Sequence, residues 1–291
     1  MAPSFPDLSL LKPDFAGRIA ARIIEATREL VLPYFGLPSG SVEVREKADG
    51  DLVSKVDLMM QDRLAEMLAG VLPGSRILSE EMTDPRSVFD QNRDTNPIWI
   101  IDPLDGTSAF LDNRSSFGVA VTLCLHDAPI SGWLYAPIGE RMVFGSVANG
   151  GWLRGACIGH AHGENARRRQ RPNGVVASGD FPIDYRARIE GLSGRLFESR
   201  GTASCVIDYL DLLSGSVDFL LYRRTLPWDH AAGVLLAGIA GGSAIRFDHG
   251  DFDLGKWNSG LLVVRNTELF SELSPLLPTR AELAALQRTA N

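Results

Sequence analysis

Two aspartates three residues apart, Asp102 and Asp105, flank a proline at the end of the apolar run Trp99-Ile100-Ile101. In a regular strand, residues three apart face opposite sides. Pro103 fixes its own φ and gives up a backbone donor, so the chain is expected to turn here and bring both carboxylates to one point. The Leu104 carbonyl, left without a ladder partner, can face that point too. Three hard oxygen donors at a strand end suit Mg²⁺ or Mn²⁺ better than zinc. Gly106-Thr107 comes at once after them, and Thr107-Ser108-Ala109-Phe110 is expected to open a short helix. N–H groups at such a start bind phosphate oxygens, and Gly106 lets the backbone come close to an anion.

Other acids stand in matching contexts. Ser79-Glu80-Glu81 also ends an apolar run, and Trp228-Asp229-His230-Ala231-Ala232-Gly233 places an acid at the start of a helix rich in small residues. Taken one at a time these are ordinary features: Asp105-Gly106 a turn, Glu80-Glu81 a solvated pair, Asp57 and Asp229 helix N-caps. Their coincidence with an anion cradle points to phosphate chemistry. A phosphate monoester dianion repels hydroxide, and divalent cations reverse the local sign and lower the pKa of bound water.

The elements that must position these acids are legible from hydrophobic periodicity. Phe15, Ile19, Ile23 and Leu30 mark a helix stopped by Pro33, and residues 41–56 form a hairpin around Lys47-Ala48-Asp49-Gly50-Asp51. Met60, Leu64, Met67 and Val71 mark a helix starting at Asp57 and closed by Pro73-Gly74, and residues 116–153 form antiparallel strands. A polar stretch, 159–174, carries Arg167-Arg168-Arg169-Gln170-Arg171 and divides the chain as a solvated loop. Beyond it, strands at 175–178, 217–222 and 260–264 alternate with helices at 184–192, 203–214 and 229–240. The expected fold class is α/β (α+β): one layered domain over residues 1–291, with an α+β half (1–158) packed on an α/β half (175–291).

The chain has 291 residues, 45% of them hydrophobic, enough to bury a large core. A net charge of −7 argues against a nucleic-acid polymer or an anionic membrane as main partner. Cys124, Cys157 and Cys205 are odd in number and far apart, which suits reduced core residues in a cytoplasmic protein. The sequence carries neither an apolar run of spanning length nor a signal peptide.

With these residues in hand, the chain resembles the inositol monophosphatase superfamily of Mg²⁺-dependent, lithium-sensitive phosphatases. The matching motifs are Asp51-Leu52-Val53-Ser54-Lys55-Val56-Asp57, Ser79-Glu80-Glu81, Asp102-Pro103-Leu104-Asp105-Gly106-Thr107 and Trp228-Asp229-His230-Ala231-Ala232-Gly233, with Gly241-Gly242 and Gly250-Asp251-Phe252-Asp253-Leu254 beyond them. The resemblance implies an αβαβα sandwich of the inositol monophosphatase / fructose-1,6-bisphosphatase type, as a homodimer. It implies that Glu80, Asp102 and the Leu104 carbonyl hold one metal, that Asp102, Asp105 and Asp229 hold a second, and that a third ion lies near Glu80. Asp57 orients Thr107, and with Glu80 they make up the catalytic set. Asp105, Gly106, Thr107, Ala203, Tyr222, Arg223 and Asp229 contact phosphate or substrate. The substrate is a small phosphorylated metabolite, with inositol-1-phosphate first. Where inositol-specific members carry an acid before the Trp-Asp motif, this chain has Tyr222 followed by two arginines. Histidinol phosphate and 3′(2′),5′-bisphosphate nucleotides are therefore alternatives, and a non-catalytic, metabolite-sensing dimer is the alternative of another class. Trp228 is expected to fix the approach of Asp229, His230 to be structural, and His160 and His162 not to bind metal.

Overall fold

The computed structural model describes residues 12–38, 40–47, 50–90, 96–147, 152–155, 170–202 and 204–288. Helices α1 (Pro13–Leu30) and α2 (Lys55–Val71) flank an antiparallel hairpin, β1 (Val44–Glu46) with β2 (Leu52–Ser54). Then come β3 (Arg76–Ser79), the one-turn α3 (Ser87–Asp90), β4 (Ile98–Asp105), α4 (Thr107–Leu111), β5 (Gly118–Leu125), β6 (Ala128–Ala136), β7 (Arg141–Ser146) and β8 (Trp152–Gly155). The second half contains β9 (Asn173–Val176), α5 (Ile183–Leu192), β10 (Glu198–Arg200), α6 (Cys205–Ser214), β11 (Phe219–Tyr222), α7 (Pro227–Ile239), β12 (Ser243–Arg246), β13 (Leu261–Val264), α8 (Leu269–Leu273) and α9 (Arg280–Arg288).

One sheet has the order β3-β4-β5-β6-β7-β8 and the other β10-β9-β11-β13-β12. On the outer face of the first, Phe15, Ile19 and Ile23 of α1 and Met60, Leu64 and Leu68 of α2 bury against Trp99, Val121 and Trp133. Between the sheets, Tyr209 and Leu213 of α6 and Ala232 and Leu236 of α7 meet Ala120 and Leu134 on one side and Leu220 and Val263 on the other. The outer face of the second sheet buries Phe219, Leu221 and Leu262 under Tyr185, Ile189, Leu273 and Leu286. The period of two sends Leu220 inward and its neighbours outward. Each such side chain contributes about 1.5–3 kcal/mol when fully buried. The layers run α, β, α, β, α, as expected.

The small residues of α7 set the spacing of the middle layer. A Cβ on Gly132 of β6 would lie 3.2 Å from the Ala232 Cα, and one on Gly233 would lie 2.2 Å from the Tyr209 ring. Helix and sheet thus meet almost backbone to backbone, and the Tyr209 ring of α6 packs directly on the α7 backbone at Gly233.

Two helix starts differ from expectation. Ser54, not Asp57, caps α2: its Oγ accepts from the Val56 N–H at 3.1 Å, while Asp57 at the third helical position reaches back to the Ser54 N–H. This reciprocal capping box satisfies two orphan donors at once. Helix α7 begins at Pro227 with Leu226 as its cap, so Asp229 lies inside the first turn. Among the described residues no helix is long and apolar enough to cross a membrane, and Cys124 and Cys205 are free thiols. Cys157, His160, His162, Arg167 to Arg169 and Ala203 lie outside the described residues. Arg171 faces Glu198 at 3.3 Å.

Candidate active site

Strand register brings the first two acids together. β3 runs parallel to β4 with Ser79 opposite Ile101, and the Glu80 N–H donates to the Ile101 carbonyl at 3.2 Å. Glu80 therefore emerges beside Asp102, where both strands end.

β4 does not turn at Pro103, as the sequence led one to expect. It pairs with β5 at Asp102–Ala120 and again at Asp105–Gly118, three steps on one strand against two on the other. The extra residue is a β-bulge, and it shifts the facing of every later residue in the strand by one position. Asp102 and Asp105 consequently line the same cavity despite their odd spacing. Pro103 sits where the ladder is already interrupted, so its missing N–H costs nothing there. The Asp102 Oδ1 accepts from the Leu104 N–H at 3.1 Å.

Asp105 is locked from the other half of the chain. Its Oδ2 accepts from the Ser204 hydroxyl and from the Val206 N–H, each at 2.5 Å. Ser204 is also the N-cap of α6. The approach needs a glycine opposite: a Cβ on Gly118 would fall 2.5 Å from the Val206 side chain. Burial raises the Asp105 pKa to about 6, against the lowering effect of those donors.

Gly106 takes a left-handed conformation (φ 85°) and opens α4, and Gly106, Thr107 and Ser108 line the cavity. The Thr107 Oγ lies 2.8 Å from Asp57 Oδ1 and 3.1 Å from the Leu104 carbonyl. Its single hydrogen goes to the nearer carboxylate. Asp57 thus serves two elements, one oxygen capping α2 and the other holding Thr107. Burial raises its pKa, and the hydrogen bonds from Ser54 and Thr107 oppose this.

Asp229 completes the group from the first turn of α7. Carboxylate oxygens of Glu80, Asp102 and Asp229 all lie within 4.8 Å of one another. They share a cavity of about 250 Å³ with Asp105 and the Leu104 residue. Burial, then the charges of Glu80, Asp105 and Asp229, push Asp102 well above the usual carboxylate range. Asp229 is pushed up by burial and by Glu80 and Asp105, with Arg224 pulling the other way. Lys47 donates to Glu80 at 2.7 Å and to Glu81 at 2.8 Å. One ammonium cannot balance four or five buried acids. The cluster offers oxygen donors only, and a hard divalent cation fits it on both charge and chemistry.

Cys205, Asp229 and His230 also lie close together. His230 is already committed: it donates from Nε2 to the Arg224 carbonyl at 3.0 Å, which leaves Nδ1 to accept from the Tyr209 hydroxyl at 3.0 Å. Burial lowers its pKa to about 4. Both of its ring nitrogens are therefore engaged within the protein. Trp228, packed edge-on against Trp257 with centroids 5.2 Å apart, walls the cavity beside Asp229.

Tyr222 and Arg223 both line the cavity. The Tyr222 hydroxyl donates to the buried Asp208 of α6 at 2.7 Å, and Asp208 also takes Thr202 and Arg200. Arg223 reaches the Leu286 carbonyl at 3.4 Å, away from the acids, while Arg224 pairs with Asp51 at 2.9 Å. Sequence reasoning missed Lys47 as a partner of Glu80, the Arg224–Asp51 pair, and Ser204 with Val206 as the anchor of Asp105. Ser204 ahead of the apolar run 205–213 was a readable helix-start signal. Its bond to Asp105, 99 residues away, was not.

The model of the inositol monophosphatase family matches residues 16–278. An inositol-1-monophosphatase of Synechocystis is 27% identical over 285 residues, 92% of this chain and 93% of its own. The Nus factor SuhB of Escherichia coli K12 is 26% identical over 80% of this chain and 85% of its own. The solved inositol monophosphatase of Thermotoga maritima superposes with a TM-score of 0.72 at 20% identity, covering 96% of this chain and 100% of that one. With a family match over nearly its whole length and the family's layered fold, the chain belongs to the inositol monophosphatase family of metal-dependent phosphatases.

Proposed function

We propose that the chain hydrolyses a small, soluble phosphate monoester of the inositol-1-phosphate type at the cavity between β4, α4 and α7, with Mg²⁺ as its metal. The observation that carries this reading is the meeting of Glu80, Asp102, Asp105 and Asp229, from three separate segments, beside the Gly106–Thr107 helix start.

Glu80, Asp102, Asp105, Asp229 and the Leu104 carbonyl would hold the metal ions. When bound, Mg²⁺ offsets the charge of the phosphate dianion and lowers the pKa of the attacking water. Backbone N–H groups of Gly106 and Thr107 seat the phosphate oxygens. Thr107 has given its hydrogen to Asp57, so its lone pairs face the cavity and accept a hydrogen from the water. This orients a water oxygen lone pair toward phosphorus. Glu80, which lines the same cavity, takes the water's proton as its oxygen bonds to phosphorus; the ester phosphorus–oxygen bond breaks, and the leaving alkoxide takes a proton from solvent water. Tyr222 and Arg223, which line the cavity, flank the leaving group. Asp208 accepts the Tyr222 hydrogen bond, so the Tyr222 oxygen presents its lone pairs to a substrate hydroxyl.

The test is phosphate release by the purified protein with Mg²⁺ and a panel of polyol phosphates, histidinol phosphate and nucleotide bisphosphates. Release is expected to stop on chelation and in Asp102→Asn and Asp229→Asn. Wild-type turnover in both variants would remove the assignment. The Escherichia coli relative is named as a factor and not as an enzyme, which supports a second reading, a binding role carried by the same fold. Complete absence of release across the panel favours that one.

A further inference from the structure

Asp208 is a charged residue in an apolar place. It stands on α6 between the buried Val206 and Leu210, in the layer between the two sheets, and is itself fully buried. A carboxylate so placed is costly unless donors fill its oxygens. Its Oδ1 takes the Arg200 guanidinium at 2.7 Å, and its Oδ2 takes the Tyr222 hydroxyl at 2.7 Å and the Thr202 hydroxyl at 2.5 Å. With donors on both oxygens, the ionised form is the one that fits. Arg200 of β10 is clamped in turn by Asp211 Oδ2 at 2.7 Å, and the other Asp211 oxygen takes Arg141 of β7 at 2.8 Å. The buried carboxylate is thereby tied to both sheets.

Tyr222 and Thr202 both line the acidic cavity, one from the end of β11 and the other from the loop ahead of α6. A hydroxyl has one hydrogen and two lone pairs, and beside a cavity it can turn either toward a ligand. Here each has given its hydrogen to the same carboxylate oxygen. Among the described residues none donates to either hydroxyl oxygen. The Tyr222 ring is also held by His230, edge-on with centroids 4.8 Å apart. This stretch of wall therefore offers lone pairs and withholds hydrogens. Because Arg200 occupies Oδ1, Oδ2 stays turned to the two hydroxyls.

We propose that Asp208 is a positioning residue for specificity. By taking the hydrogens of Tyr222 and Thr202 it makes the wall an acceptor surface, which favours leaving groups bearing hydrogen-bond donors over those bearing acceptors alone. The inference rests on the phosphatase reading above and goes beyond it in assigning the choice of leaving group to a side chain buried out of the substrate's reach.

The test measures kcat/KM with Mg²⁺ for p-nitrophenyl phosphate, glycerol 2-phosphate, and the dimethyl ether of glycerol 2-phosphate, whose capped oxygens accept but cannot donate. The wild type is expected to prefer the free polyol to the ether by about tenfold or more. In Asp208→Asn the amide oxygen keeps Arg200, and the amide N–H groups donate to the two hydroxyls, which turn their hydrogens to the cavity. The preference is then expected to fall to about one through KM, with the ether itself turned over better than by the wild type. A merely structural role would lower both substrates alike and leave the ratio in place. Tyr222→Phe keeps the Arg200 and Thr202 bonds of Asp208, so it reads the same wall even if Asp208→Asn does not fold. It is expected to lower the preference about fivefold. A wild-type ratio of one, or a ratio that survives in either variant, overturns the proposal. Release from p-nitrophenyl phosphate tells the failures apart. With release but no preference, only the role of Asp208 falls; with none from any substrate, the phosphatase reading falls and takes that role with it.

Discussion

Asp105 and Ser204, 99 residues apart in sequence, are joined by a 2.5 Å hydrogen bond, and the hydroxyl that makes it also caps α6. One carboxylate of the acidic cluster is thereby fixed by the start of a helix in the opposite half. Ser204→Ala removes the cap and one of the donors to Asp105. A loss of about 1–2 kcal/mol is expected in denaturant unfolding. The Asp105 carboxylate, pushed to about 6 by burial, loses a bond that favoured its charged form. In the metal-free protein its pKa rises further, so protons compete more strongly with Mg²⁺ and the apparent Mg²⁺ affinity near pH 6 falls below that of the wild type. An equal affinity at pH 6 would separate Asp105 from the cation site.

The Asp57–Thr107 pair is open to isosteric replacement. Thr107→Val keeps shape and loses the hydroxyl, and kcat is expected to fall about 10²–10³-fold. Thr107→Ser should recover most of it, within about tenfold. Asp57→Asn should lower kcat with a smaller cost in stability from the capping box. If valine and serine proved equal, Thr107 would be a packing residue only.

Metal dependence has a sign that can be checked without substrate. Asp102 and Asp229 are pushed up by burial and by their neighbours, Asp105 is pushed to about 6, and Glu81, by burial and Glu80, to about 7. A group with a raised folded-state pKa lends stability at low pH that is lost as pH climbs through that value. The metal-free protein therefore loses stability between about pH 4 and pH 7 or above, as like charges accumulate in the cluster. On the proposed reading Mg²⁺ binds the deprotonated cluster, so its effect is expected to grow over the same window. At 100 times Kd the gain is about 2.7 kcal/mol, which for a chain of this size is a Tm rise of about 5 °C. Thermal scans with Mg²⁺ and with chelator at pH 5 and pH 8 measure it. A shift equal at both pH values contradicts a site made of these acids.

Gly233 offers a test of the middle layer. A methyl group there meets the fully buried Tyr209 ring at 2.2 Å. Gly233→Ala is expected to cost about 1–3 kcal/mol. Because α7 bears Asp229, the displaced helix should also lose activity at temperatures where the chain stays folded. A variant that is destabilised but fully active would show that Asp229 does not follow the helix.

Much of this is legible in sequence because it rests on local periodicity. Phe15, Ile19 and Ile23, the β11 and β13 runs and the α6 and α7 spans all appear close to where their apolar spacing puts them. The features that escape such reading depend on partners far along the chain or on competing local signals. Aspartate prefers the cap position, which points to Asp57 and Asp229 as helix starts. Ser54, three residues ahead of Asp57 in the box, and Pro227, at the first helical position, are the stronger signals. Pro103 implies a turn because a proline ends a ladder. The ladder is already broken by a bulge whose existence depends on β5, and β5 cannot be read from residues 99–107. Asp102 and Asp105 do converge, through that bulge and not through a turn.

The near-contact of Gly132 with Ala232 gives the molecule a built-in gauge. The interior helix rests directly on one sheet while its first turn presents Asp229 to carboxylates growing from that same sheet. Any substituent that wedges the two apart widens the gap between ligands by a comparable amount, however distant it is from the pocket. Cation affinity then becomes a readout of interior fit, sensitive to tenths of an ångström well before the chain melts.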